Sequence, residues 1–235
     1  MMRTMLKAAL VAAMSMPAVL LAQDPGSNGY SEPTQVELGV FTAPTTRVVS
    51  VLTGPLIRSS ASFQGAELSI HGGGDGGGLI ARYAVGTLPG AGSSLAGGKL
   101  EYADGLAFMG GRSFSLGLGY ALRTFEFNGK ERRFGMPEAG FQTGYFFPGA
   151  GIALGVNGTY ARMITAEKSD SLLSDAITGA TSVTYAPPRF PIFARLEYRR
   201  ELFNLKQNQT NVYVRREEVS AVSFMLGLQY GLSLR

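Results

Sequence analysis

From Val222 to Leu234 every even-numbered residue is apolar: Val222, Phe224, Leu226, Leu228, Tyr230, Leu232 and Leu234. The odd positions between them are Ser223, Met225, Gly227, Gln229, Gly231 and Ser233, small or polar apart from Met225. A period of two puts one greasy and one plain face on an extended strand and is incompatible with a helix, whose faces recur every 3.6 residues. The run covers thirteen residues, whereas a strand of an ordinary globular protein holds about 5 or 6. A strand this long with one continuous apolar face needs an equally tall apolar environment.

The pattern recurs along the chain. Phe114, Leu116, Leu118, Tyr120 and Leu122 alternate with Ser115, Gly117, Gly119, Ala121 and Arg123. Ala139, Phe141, Thr143, Tyr145 and Phe147 alternate with Glu138, Gly140, Gln142 and Gly144. Ile152, Leu154, Val156 and Tyr160 oppose Ala153, Gly155, Asn157 and Thr159, while Phe190, Ile192, Ala194, Leu196 and Tyr198 oppose Arg195, Glu197, Arg199 and Glu201. Tight Gly- and Pro-bearing connections at 109–112, 148–151 and 186–189 interleave with longer polar ones at 128–133, 165–177 and 204–216, the latter with a short helical turn over 171–177. The spacing predicts ten antiparallel strands, near 47–57, 62–71, 78–87, 98–109, 113–127, 135–147, 151–164, 178–186, 190–203 and 218–234. Pro55 interrupts the first, and Asp104-Gly105 reads as a possible hairpin inside the fourth. Eight strands is the alternative.

The N-terminal residues follow another rule. Arg3 and Lys7 precede an uncharged apolar stretch from Ala8 to Leu21, and Ala22 precedes the polar run Gln23-Asp24-Pro25-Gly26. This is the layout of a cleaved secretory signal over residues 1–22. The apolar run falls short of the roughly 20 residues a spanning helix needs. Residues 23–45, with their Pro, Gly and Thr, read as a periplasmic lead-in, and 46–235 as one barrel domain. The net charge of +4 falls to +2 once Arg3 and Lys7 leave with the signal, too little to argue for nucleic acid.

Composition separates a membrane barrel from a soluble one. Charged residues are only 16% of the chain although 45% is hydrophobic, and soluble domains run nearer a quarter charged. A soluble barrel turns its oily face inward and needs a charged exterior, which this chain is hard pressed to supply. In a closed membrane barrel the plain face lines the lumen instead. Arg195, Glu197, Arg199 and Glu201 share that face, with Arg123 and Glu138 in the same phase of their own strands, and opposite charges satisfy each other there. Aromatics near strand ends, namely Phe125, Phe127, Tyr145 to Phe147, Tyr160, Tyr198 and Phe203, suit the interface girdles of such barrels.

On these alternating strands and the leader, the chain resembles the small outer-membrane β-barrel proteins of Gram-negative bacteria, those of OmpA/OmpX type. The resemblance is architectural and matches no specific motif. It implies an antiparallel up-and-down barrel in the outer membrane, in contact with its lipids and lipopolysaccharide, inserted by the barrel-assembly machinery. The insertion signal of that class ends in an aromatic residue, whereas this chain ends Leu234-Arg235.

The sequence offers little chemistry. His71-Gly72-Gly73-Gly74 matches the oxyanion string of esterases, but no G-x-S-x-G elbow accompanies it. Gly72, Gly74 and Gly77 fit G-x-G-x-x-G, yet a strand follows where the motif demands a helix. One His and no Cys exclude His/Cys metal clusters, and no cofactor is expected. His71 with Ser69 on the same strand face is the remaining candidate for a lipid-modifying enzyme, with a polar strand end the simpler reading. Glu197 and Glu201 lie about 13 Å apart by strand rise, too far for a glycosidase pair. Two basic clusters, Lys130, Arg132 and Arg133, and Lys206, Arg215 and Arg216, are read as loops facing lipopolysaccharide phosphates or water. The expectation is a barrel with a structural or surface-interaction role and no catalysis. A narrow channel for small solutes, with room left by Gly117, Gly119, Gly140, Gly144, Gly155, Gly227 and Gly231, is the alternative.

Overall fold

The structure is a computed structural model that describes residues 34–51, 56–71, 77–88, 98–111, 114–127, 130–147, 150–167, 172–187, 190–206 and 214–232. Its elements are β1 (Thr34–Val51), β2 (Ile57–His71), β3 (Gly78–Leu88), β4 (Gly98–Gly111), β5 (Phe114–Phe127), β6 (Lys130–Phe147), β7 (Ile152–Arg162), β8 (Thr165–Glu167), β9 (Leu172–Tyr185), β10 (Ile192–Lys206) and β11 (Val214–Leu232). Each long strand pairs antiparallel with its neighbours in sequence, β1 pairs with β11, and the β5–β6 pairing completes the ring. The three-residue β8 continues β7 along β6, offset by one residue after Met163-Ile164; Ile164 N donates to Gly135 O at 3.1 Å. The closed ring therefore has ten places, as the strand spacing predicts, and no free edge.

The ladders set the barrel's dimensions. From Ile192 the pairing runs through Leu228, Leu38, Leu68, Ala81, Gly105 and Tyr120 to Pro137. It continues at Arg162, one residue past the last β6–β7 pair, and through Asp175 returns to β10 at Asn204, twelve residues from its start. A ten-strand sheet closed with that stagger tilts its strands by about 40° and has a backbone radius of about 10 Å. Each residue then climbs about 2.5 Å and each step between strands shifts height by about 3 Å. On this scale the lipid-phase residues Tyr83, Tyr120, Tyr160 and Tyr198 fall within about 4 Å of one height. Phe114, Tyr145, Phe147, Tyr185 and Tyr230 form a second ring about 18 Å below, near the termini.

Between the rings the outer surface is oily. Phe224, Leu226 and Leu228 are 49%, 53% and 43% exposed, whereas Glu197 on the opposite phase is 4% exposed. A surface of this kind needs hydrocarbon for solvent, and the barrel is a membrane-spanning one.

Several local expectations are corrected. β1 starts at Thr34, so residues 34–45 of the expected lead-in are strand, and the first strand is not 47–57. The signature was hidden because Phe41 and Ala43 are apolar on the lumen side while Thr42 and Pro44 face outward. Pro44 has no N–H to give, and the β1–β11 ladder skips 43 and 44 without losing register. Asp104-Gly105 is no turn: both residues pair with β3 and β5 inside one continuous β4. The segment 128–133 is not a long loop, since Phe127 pairs with Lys130 and leaves only Asn128 and Gly129 between strands. Residues 172–177 are strand rather than a helical turn. Phe203 is 1% exposed and points into the lumen, away from any girdle. The leader and residues 23–33 lie outside the described residues.

Candidate functional site in the barrel lumen

The lumen is crossed by guanidinium–carboxylate pairs. Arg195, from β10, donates from Nη2 to Glu37 Oε2 and from Nη1 to Glu67 Oε1, both at 2.5 Å, and from Nε to Thr184 Oγ1 at 2.9 Å. Above it, Arg82 on β3 reaches across to Glu197 Oε1 at 2.6 Å, with Glu67 at 3.7 Å. Arg199 Nε donates to the same Glu197 oxygen at 3.2 Å and approaches Asp104 at 3.9 Å. Arg123 on β5 binds Asp104 and donates to Glu201 Oε1 from Nη2 at 2.8 Å. Near the upper end Arg47 grips Glu217 with Nε and Nη2, at 2.6 and 3.2 Å. Aromatic faces complete several of these sites: Arg82 lies 4.3 Å from the Phe41 ring and Arg123 4.4 Å from that of Tyr102.

All six expected interior charges are therefore inside the barrel: Arg123, Glu138, Arg195, Glu197, Arg199 and Glu201. The same-strand ladder expected for β10 is formed only at Arg199–Glu197; the other contacts run across the lumen to β1 through β5. The sequence reading missed Glu37, Arg47, Glu67, Arg82, Asp104 and Glu217. Their signal was present, since each sits in the phase opposite the lipid-facing residues of its strand, as Glu67 does between Ala66 and Leu68. Among the described interior residues, seven carboxylates face five guanidiniums. Glu138, 7% exposed, is the one carboxylate of that set with no hydrogen bond or ion pair to another described residue.

Apolar side chains fill the space around the pairs. Leu100, Met136, Phe134, Phe203, Phe63 and Val219 are all at most 5% exposed and pack across the upper half. Of the glycines that suggested room, Gly117 and Gly227 make way for rings and Gly119 and Gly140 for Leu106, while Gly144 faces backbone and Gly155 the Ser182 hydroxyl. A Cβ on Gly117 would meet the Phe108 ring at 2.7 Å, one on Gly140 would meet Leu106 at 3.1 Å, and Gly227 is capped by Phe193. The cavity beside Arg82, Asp104 and Tyr102 measures about 40 Å³, space for about three waters.

Ser69 Oγ donates to Glu67 Oε1 at 3.3 Å, inside the lumen network. His71 ends β2, and its side chain, like residues 72–76, lies outside the described part. No group of three or more potential metal ligands occurs among the described residues. The two expected basic loops are strand residues: Lys130, Arg132 and Arg133 open β6, Lys206 closes β10, and Arg215 and Arg216 open β11. On the outer surface, Arg58, Lys99, Arg162, Arg200 and Arg216 are exposed above the tyrosine ring.

No protein-family profile matches the sequence, and no curated protein matches it. Solved structures similar to the chain include the outer-membrane protease OmpT of Escherichia coli, at 12% identity and a TM-score of 0.42, covering 87% of this chain and 99% of that one. An outer-membrane channel of Pseudomonas putida F1 has 11% identity and a TM-score of 0.40, over 89% and 100% of the two chains. OprG of Pseudomonas aeruginosa has 10% identity and a TM-score of 0.27, over 86% and 98%. Likeness at this level leaves the activities named for those proteins with those proteins. The architecture of this chain is nonetheless that of an outer-membrane-type barrel, on its own closed sheet and lipid-facing exterior.

Proposed function

We propose that the chain is an exported outer-membrane barrel that serves as a rigid, non-catalytic platform, with no continuous pore and with its upper rim as the interacting surface. The observation that carries this reading is the lumen: crossing ion pairs span it and a layer of buried apolar side chains closes its upper half. A solute path would have to part Arg123 from Glu201 and displace Phe203, Phe134 and Met136 together. Export by residues 1–22 and insertion by the barrel-assembly machinery belong to the same proposal.

The rim's partner in this reading is the phosphate layer of lipopolysaccharide. Arg162 and Arg200 lie just above the tyrosine ring, where phosphorylated headgroups sit, Arg216 stands about 15 Å above it, and guanidinium suits phosphate as a bidentate donor. Lys130, Arg132, Arg133, Lys206 and Arg215, at the same ends of their strands, extend the basic zone.

Folded protein in a planar bilayer tests the closed lumen. The expected trace shows no unit steps; regular ohmic steps would establish a channel. For the rim, the variant Arg162→Gln/Arg200→Gln/Arg216→Gln should lose affinity for lipopolysaccharide vesicles at low salt while keeping it for dephosphorylated ones. Unchanged binding would remove the phosphate reading.

A further inference from the structure

The charge imbalance of the lumen is concentrated at one height. Arg123 on β5 is shared by two carboxylates: it binds Asp104 from Nη1 and donates to Glu201 Oε1 from Nη2 at 2.8 Å and from Nε at 3.2 Å. Arg199 donates to Glu197 and approaches Asp104 at 3.9 Å. Both guanidiniums are thus engaged. Glu138 on β6 is a third carboxylate in the same place. It is 7% exposed, it has no hydrogen bond or ion pair with a described residue, and the charged groups acting on it are Asp104, Arg123, Glu201 and Arg199. On the barrel's scale Asp104, Arg199 and Glu138 lie within about 2 Å of one height, with Glu201 and Tyr102 about 4 Å above. Met136 and Phe134, both buried, stand over Glu138 on β6, and the adjacent β7 brings only Thr159 and Ala161 to the lumen beside it.

A carboxylate taken out of water with no cation of its own takes up a proton or binds a counter-ion. Two observations favour the proton. Three carboxylates around two engaged guanidiniums leave a negative charge in excess, and like charges that share a site do not all ionise. Asp104, Glu138 and Glu201 also do not come together as a metal-holding group among the described residues. Of the three, Glu138 is the one to carry the proton. Asp104 and Glu201 each accept from Arg123 and border the cavity of about 40 Å³, which has space for about three waters; Glu138 does neither. The Tyr102 hydroxyl, sealed and without a hydrogen bond to a described residue, is the other titratable group facing Glu201 and Asp104.

We propose that Glu138 is a proton-binding site of the lumen: its carboxyl is held neutral while Asp104 and Glu201 occupy Arg123, and release of the proton loosens that crossing beneath the apolar layer. On release the Glu138 O–H bond breaks, the proton passes to water, and the new carboxylate competes with Asp104 and Glu201 for Arg123 and Arg199. An unfolded glutamate gives up its proton near about pH 4.3. Above that the folded chain binds one proton more than the unfolded one, so stability falls as pH rises until Glu138 itself ionises. Neither rim binding nor conductance enters, so the site stands or falls separately from the proposed function.

The test uses the full-length folded protein in detergent. Infrared spectra read the carboxylic-acid band, and the temperature at which the compact gel form is lost, after heating at each pH, reads stability. Wild type should show a buried carboxylic-acid band at pH 6 that is absent from Glu138→Gln. Glutamine copies the neutral carboxyl, so the two proteins should melt together at pH 6, and wild type should melt roughly 5 °C below the variant at pH 9. Glu201→Gln frees Arg123 for Glu138, so the band should vanish there although Glu138 is intact. Should Glu138→Gln fail to fold, the wild-type band and its loss in Glu201→Gln still decide. Absence of the band from wild type overturns the proposal, as does a band that survives in Glu138→Gln or in Glu201→Gln. So does a Glu138→Gln protein that melts below wild type at pH 9, the mark of a charged and paired carboxylate.

Discussion

Arg82 sits 2.6 Å from Glu197 and 3.7 Å from Glu67, with the Phe41 ring beneath it. Its removal leaves Glu197 with Arg199 and Glu67 with Arg195 as remaining partners, so the loss stays below the about 3–5 kcal/mol of a buried pair broken outright from one side. Arg82→Ala should therefore lower the unfolding free energy obtained from urea titration by up to that amount, and Arg82→Met/Glu197→Gln should recover part of it. Recovery tests pairing against mere volume. A second residue, Gly86, has the Phe63 ring where its Cβ would go; Gly86→Ala should cost about 1–3 kcal/mol, read in the same titration. Outside the membrane, on the upper rim, the Arg200 hydrogen bond holds the Glu218 carboxyl below its ordinary range. A lowered carboxylate contributes stability above its unfolded-state pKa and loses it as pH falls through the folded value. Wild type should exceed Glu218→Gln slightly at pH 7, and the gap should close in acid below the folded pKa of Glu218. Exposure of both partners keeps the effect small.

At the scale of elements, a strand's outward side chains report its depth. Leu226 lies midway between the two aromatic rings, and an arginine at the midplane of such a barrel costs about 2–4 kcal/mol. Leu226→Arg should show that loss in folding titrations from lipid vesicles, whereas Ser220→Arg, in the same phase but above the tyrosine ring, should be nearly neutral. This gradient also explains what the sequence revealed. β5, β10 and β11 were legible because bulky residues point only outward and small or charged ones only inward. β4 reverses that contrast, with Tyr102, Leu106 and Phe108 inside and Ala103, Gly105 and Ala107 outside, so Asp104-Gly105 mimicked a turn. In β1, Phe41 and Ala43 inside against Pro44 outside erased the period. The lumen charges of β10 stood out by their regular spacing, while Glu37, Glu67 and Arg82 occur singly and acquire meaning only when closure brings distant strands together. Which glycines are filled was beyond the sequence for the same reason: it depends on side chains such as Phe108, Leu106 and Phe193 donated by neighbouring strands.

For the molecule as a whole, ten strands closed with a twelve-residue stagger leave a lumen that side chains can fill, and here crossing pairs and an apolar layer fill it. The account rests on which side of the wall meets hydrocarbon. The chain has no cysteine, so single cysteines carrying nitroxide labels can be placed along β11 without background. In lipid vesicles, labels at 222, 224, 226, 228 and 230 should collide freely with oxygen and scarcely with a water-soluble nickel chelate, with the contrast greatest near 226. Labels at 223, 225 and 227 should be shielded from oxygen. The opposite phase, with even positions sealed from both reagents and Arg195→Cys or Glu197→Cys labels open to the nickel chelate on an outer aqueous surface, would contradict the account.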